Sequence, residues 1–214
     1  MKTNTLNPAR LGAAAATLAS PLAHTAEATA VNDLVARISS TDDKVRGPAW
    51  QGAGPAGAPA VKPLAALMTN ADYEIARSAK RAIYKIIRHA GRPGAEAEAK
   101  AVTAELIPLL KHEAPAVRRE ALWMLSEIGG DDAIAPMAAL LSDAEVRDDA
   151  RCTLTRLPGP KSLAALKSAF ASASEEFKFA LADSLRARGE TVDSHPTKKL
   201  VPTRATTVGQ PGAK

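Results

Sequence analysis

Apolar positions along this chain recur at helical spacing in short, repeated blocks. The clearest block places Val117, Ala121 and Leu125 four residues apart, and a second places Val146, Ala150 and Leu154 in the same way. A step of four residues advances only about 40° around a helix, so each trio shares one face. Weaker copies are Val45, Ala49 and Ala53; Ile75, Ala79 and Ile83; and Phe177, Leu181 and Leu185. The leading residues fall at 45, 75, 117, 146 and 177, giving spacings of 30, 42, 29 and 31. A recurring period of this length is the mark of a stacked repeat array.

A second apolar segment precedes these blocks, at 61–68, 106–110, 134–141 and 163–170, with short polar turns such as Ser142-Asp143 between the two. The unit is therefore a helical hairpin, and such hairpins bury their apolar faces only by stacking on neighbours. The pattern predicts an all-α fold, an α-α superhelix of about five hairpins over residues 31–190. Two departures modify it. Gly47-Pro48 and the run Gly52-Ala53-Gly54-Pro55 are unfavourable inside a helix, so the second helix of the first unit should be short. The 42-residue spacing marks an insertion, in which Gly91-Arg92-Pro93-Gly94 breaks the chain before 95–110, predicted as one lengthened helix bent near Pro108.

The segments 136–143 and 146–154 resemble HEAT repeats of the kind that includes the phycobilisome-lyase-like repeats. The resemblance extends over about 31–190. It implies a solenoid that serves as a scaffold and binding surface, with a structural ladder formed by the Asp of the turn and the Arg after the leading Val. By that resemblance Arg46, Arg118, Arg147 and Asp143 are structural residues.

The composition agrees with close-packed helices: aromatics make up only 3% of the chain, against 46% for all hydrophobic residues, so the core draws on Ala, Leu, Ile and Val. One cysteine excludes an internal disulfide framework. At the N-terminus, Lys2 and Arg10 precede an uncharged run at 11–23, and small residues at 26–28 and 28–30 fit an A-x-A cleavage pattern. Residues 1–30 thus predict a bacterial-type export signal and a periplasmic or secreted protein, with a cytoplasmic protein as the alternative. That run is too short to span a bilayer, and no membrane insertion is expected after processing. Residues 191–214, with Pro196, Pro202 and Pro211 and no apolar period, predict a disordered tail.

The formal charge is +5, but +1 lies in residues 1–28 and +3 in 191–214, which leaves the repeats at +1. General attraction to nucleic acid is accordingly not expected of the folded region. The local pattern says more. Positions two, six, ten and thirteen after each leading residue point away from the buried stripe. In the second unit they are Arg77, Arg81, Lys85 and Arg88, with no acidic residue between Glu74 and Glu96. In the third they begin Arg119, Trp123 and Glu127, and in the fourth Asp148, Cys152 and Arg156. A basic strip, an exposed indole and an acidic edge would then stand side by side on one face, with Trp123 either the anchor of a protein partner or packed on the next repeat.

No phosphate loop, CxxC pair, Ser/His/Asp order or HExxH motif occurs. Deoxyhypusine hydroxylase, another HEAT-repeat protein, binds iron through His-Glu pairs inside its helices. Here the matching positions hold Arg119-Glu120 and Asp148-Asp149, and His112-Glu113 falls in a turn, so that ligand set is missing. A phycobilin-lyase-like role has no compact signature to test, and binding of an anionic polymer through 77–88 is a further alternative. The reading is a non-catalytic protein-interaction module with no cofactor or metal.

Overall fold

The computed structural model describes residues 21–197. Among these residues ten α-helices and four short 3₁₀ turns are present, and no strand. The helices pair as five hairpins: α1 (Pro21–Ile38) with α2 (Asp43–Gln51), α3 (Val61–Leu67) with α4 (Tyr73–Ala90), α5 (Glu96–Leu106) with α6 (Pro115–Ile128), α7 (Asp131–Ala139) with α8 (Arg147–Arg156), and α9 (Pro160–Ser172) with α10 (Glu175–Ala187). The second helices α2, α4, α6, α8 and α10 pack each on the next in a single layer, with the first helices on its other side. The five-hairpin superhelix expected from the apolar period is the fold observed.

Local sequence sets where each second helix starts. Asp42 and Asp72 cap α2 and α4, and the Asp72 carboxylate accepts from the backbone N–H groups of Glu74 and Ile75. Pro115 opens α6, where its missing N–H removes no helical bond. Along α4 the residues Ile75, Ala79, Ala82, Ile83, Ile86, Ile87 and Ala90 are buried, and the three alanines among them let neighbouring helices approach closely. Leu64, Ile83, Leu106, Leu122, Leu125, Leu154 and Leu166 continue one core from end to end. Polar groups inside it are satisfied across repeats: the Thr153 hydroxyl donates to the Leu122 carbonyl at 3.1 Å, and the Thr103 hydroxyl to that of Ile128 at 3.3 Å. The Arg188 guanidinium donates to the carbonyls of Leu154, Leu157 and Gly159, closing the open end of α8.

The Gly/Pro run of the first unit has the predicted effect. Helix α2 is nine residues long and carries Pro48, and the chain then runs through two 3₁₀ turns, Gly54–Ala56 and Ala58–Ala60. A Cβ at Gly54 would lie 3.1 Å from the His89 Cβ, so this turn approaches α4 closely at a position that glycine fits without displacing His89.

Two expectations are corrected. Residues 95–110 do not form one bent helix: α5 ends at Leu106 and a separate 3₁₀ turn, Ile107–Lys111, follows at Pro108, whose ring and missing N–H do not suit the helix interior. Residues 191–197 are not structureless. Arg186 donates to the carbonyls of Val192, Ser194 and His195, and the Thr197 hydroxyl bonds Asp183 at 2.6 Å. His195, at φ +56°, sets its ring edge-on to Phe170 and Phe179 and meets Glu175 at 3.1 Å. This strap covers the apolar edge of the fifth hairpin. Residues 198–214, and the basic, uncharged start of the expected export signal at 1–20, lie outside the described residues. In α1 the residues 27–30 are exposed and Val31 is buried.

Candidate protein-binding face

The outward side of the second-helix layer holds every residue singled out in the sequence, and most of them are tied to a neighbour. Arg77 pairs with Glu74 one turn earlier on α4 at 3.1 Å. Arg88 makes two bonds to Glu127 of α6, at 3.2 and 3.4 Å. Arg119 donates to Asp149 of α8 at 3.0 Å and to the Glu145 carbonyl at 2.9 Å. Asp148 pairs with Arg151 on its own helix at 3.2 Å. Cys152 is a half-buried free thiol.

Trp123 is not an exposed indole. It is half-buried, its Nε1–H donates to Asp149 at 2.9 Å, and the Arg156 guanidinium lies 5.8 Å from its ring centre. The same clasp occurs one junction earlier. Glu120 of α6 accepts from Lys80 at 2.9 Å and from the Tyr84 hydroxyl at 3.2 Å, both on α4. Each acid sits three residues after its repeat's leading valine and receives one cation and one aromatic donor from the repeat before. Burial first, and then the Glu120 carboxylate, hold the Tyr84 phenol well above its ordinary pKa.

The ladder implied for the turns is also present, in part. Arg118 reaches Asp143 of the next repeat at 3.0 Å and donates to the carbonyls of His112 and Glu113. Arg46, only 4% exposed, instead serves its own turn, bonding Ser40 and Asp43. His112 lies in that kind of turn as well, its Nδ1 accepting from the Ala114 N–H at 3.1 Å. Among the described residues no three His, Cys, Asp or Glu side chains gather in a group suited to a metal ion, and no helix is long and apolar enough to cross a membrane.

Arg81 and Lys85 stand apart from this pairing. Neither meets a carboxylate among the described residues. Both lie over the ring of Trp50 at the end of α2, with Arg81 Cζ at 5.0 Å and Lys85 Nζ at 6.0 Å from its centre. Arg88 lies 5.5 Å from the centre of the Tyr84 ring beside them. The five side chains line an open depression of about 350 Å³. Trp50 and Tyr84 escaped the sequence reading, which discounted the Gly/Pro-rich first unit. Repeat register was the available signal: Trp50 follows its leading valine by five residues, the place Lys80 holds in the next repeat.

A match to the family model for HEAT repeats runs over residues 80–155, through α4 to α8, where both clasps and the Arg118 rung lie. Residues 80–155 are HEAT repeats. The matching model describes HEAT repeats in general and names no narrower branch. Among solved structures, an engineered protein from the Northeast Structural Genomics Consortium is 24% identical over 74% of this chain and 78% of its own, with a TM-score of 0.40. A designed armadillo repeat protein in complex with the peptide (KR)4 is 22% identical over 77% of this chain and 84% of its own, with a TM-score of 0.44. No curated protein matches the sequence.

Proposed function

We propose that this HEAT array is a non-catalytic interaction module whose second-helix layer binds an acidic segment of a partner protein at Arg81 and Lys85. A HEAT-repeat fold is at a general level a scaffold for protein interaction, because stacked hairpins present one extended surface. The observation that carries the finer reading is the contrast on α4: Arg77 and Arg88 have carboxylates, whereas Arg81 and Lys85 have only the Trp50 ring beneath them. An aromatic face holds a guanidinium in place by cation–π attraction and leaves its N–H edge free for an incoming carboxylate.

Calorimetric titration with an eight-residue peptide of alternating Asp and Glu tests this reading. Saturable binding is expected, and the double change Arg81→Glu, Lys85→Glu should weaken it by more than about tenfold. Equal affinity in the two proteins would refute it. Anionic-polymer binding predicts a different result, a steep linear loss of affinity with log salt for a polynucleotide.

Export through residues 1–30 belongs to the same proposal. Cleavage at either A-x-A site leaves Val31, Leu34 and Ile38, the buried residues of α1, in the mature protein. The mass of the N-terminal peptide from cells that express the full chain decides it.

A further inference from the structure

The turn position three residues before each leading residue reads Asp42, Asp72, Ala114, Asp143 and Ser174 from the first repeat to the fifth. The Arg position after the leading residue reads Arg46, Ala76, Arg118, Arg147 and Lys178. A rung joins the Arg of the third repeat to the turn acid of the fourth, Arg118 to Asp143. At the last junction the cation remains and the acid is gone: Arg147 faces Ser174.

Nothing else takes the place of that acid. Among the described residues the Arg147 side chain has no hydrogen bond or ion pair, and its Cζ lies 4.8 Å from the centre of the Phe177 ring. On its own repeat Asp143 pairs with Arg118 and Asp148 with Arg151. Where a rung would lie there is instead a cleft of about 480 Å³ between the fourth and fifth repeats. Arg147 and Phe177 line it together with Ser168, Ser174 and small alanines such as Ala138 and Ala169. The cleft therefore combines an unpaired guanidinium, held flat on an aromatic ring, with hydroxyls at its rim and room for several heavy atoms.

We propose that this cleft binds a carboxylate, which completes the rung that Ser174 leaves open. The guanidinium would take it by two parallel N–H bonds, the geometry Arg offers to planar carboxylates. The hydroxyls of Ser168 and Ser174 are placed to donate to its remaining lone pairs. The carboxylate comes either from an acidic side chain of a partner or from a free small acid, and the two share this chemistry. The inference is independent of the depression between α2 and α4, which lies three junctions away.

The test uses the full chain, labelled with ¹⁵N, and acetate as the probe at constant ionic strength against chloride. A saturable shift of the Arg147 Nε–H and Ser174 amide resonances is expected with acetate and not with chloride. Arg147→Gln should abolish it. Ser174→Asp should abolish it as well, since the new carboxylate occupies the ligand's position; Ser174 is exposed, so this variant keeps the fold even if Arg147→Gln does not. A chloride response equal to that of acetate, or an acetate response that survives Ser174→Asp, overturns the proposal. Tighter saturation by inorganic phosphate than by acetate overturns the assignment to carboxylates. Acetyl-Gly-Asp-Gly-amide binding about tenfold more tightly than acetate identifies a partner's side chain as the source, and equal binding identifies a free acid.

Discussion

The junction between the third and fourth repeats and the junction between the fourth and fifth are built from the same parts, yet only the first is closed. At the third–fourth junction Arg118 meets Asp143, and Asp149 gathers Arg119 and the Trp123 indole. At the fourth–fifth junction Ser174 replaces the first acid and Ala180 stands at the position of the second. Arg147 is left over a ring, and Arg151 turns to Asp148 and the Ser184 hydroxyl. Both junctions keep their apolar core, so stacking does not depend on the rungs. The rungs decide which cations are spent inside the array and which are available outside it. Arg81 and Lys85 are a second instance of the same rule, because the first repeat supplies Trp50 where the third supplies Glu120 and Glu127.

The comparison breaks most severely if its shared premise, the continuous core, is removed. Leu122→Ala at the closed junction should cost about 2–5 kcal/mol, since Leu122 is fully buried. Urea denaturation measures this loss. A cost below 1 kcal/mol would mean that polar clasps carry the stack.

Asp149→Ala should have the next largest effect, about 1–2 kcal/mol. It leaves the half-buried Trp123 N–H without its acceptor, while Arg119, 42% exposed, finds water. The same denaturation curve reads it, and the indole resonance of Trp123 should shift. Asp143→Ala should cost about 1 kcal/mol or less, because Arg118 keeps the carbonyls of His112 and Glu113. Installing a rung sharpens the contrast from the other side. Ser174→Asp should raise Tm by about 2 °C in wild type and by less in an Arg147→Gln background. Equal increments in both backgrounds would assign the gain to helix capping alone.

The smallest effect concerns the strap. The Asp183 carboxyl is held below its usual range by the Thr197 hydroxyl and then by Arg186, and that of Glu175 by Lys178 and then by His195. Acids depressed in the folded state stabilise it above their ordinary pKa, and this is lost as pH falls through the depressed values. Hydrogen exchange at 192–197 should therefore speed up relative to α4 as pH falls below about 4. A constant ratio of protection between strap and α4 across that range would detach the strap from both acids.

Much of the architecture could be read from the sequence because it is local. A four-residue apolar step, an Asp or Pro at a helix start and a Gly/Pro run each act within one or two turns. The period of about thirty followed from their recurrence, and the insertion before α5 from a single long spacing. Contacts between repeats were not legible in the same way. The stripe at Arg77, Arg81, Lys85 and Arg88 looked uniform because the partner that sets Arg88 apart, Glu127, lies 39 residues away on the next helix. Trp123 pointed outward from its own helix, but outward there means toward Asp149. The strap was read as tail because its bonds are made by Arg186 and Asp183 to a segment with no period of its own. The open rung at Ser174 was visible in principle, once the five turn positions are set in register.

The claim that cations left unpaired by the stack are the binding sites is tested most directly at Trp50. In a Trp123→Phe chain Trp50 is the only tryptophan, and Arg81 and Lys85 lie over its ring. Titration with the acidic peptide should change its fluorescence in a saturable way, and the change should vanish in the Arg81→Glu, Lys85→Glu variant. An emission spectrum that does not respond to the peptide, or that responds equally in the charge-reversed variant, would contradict the account.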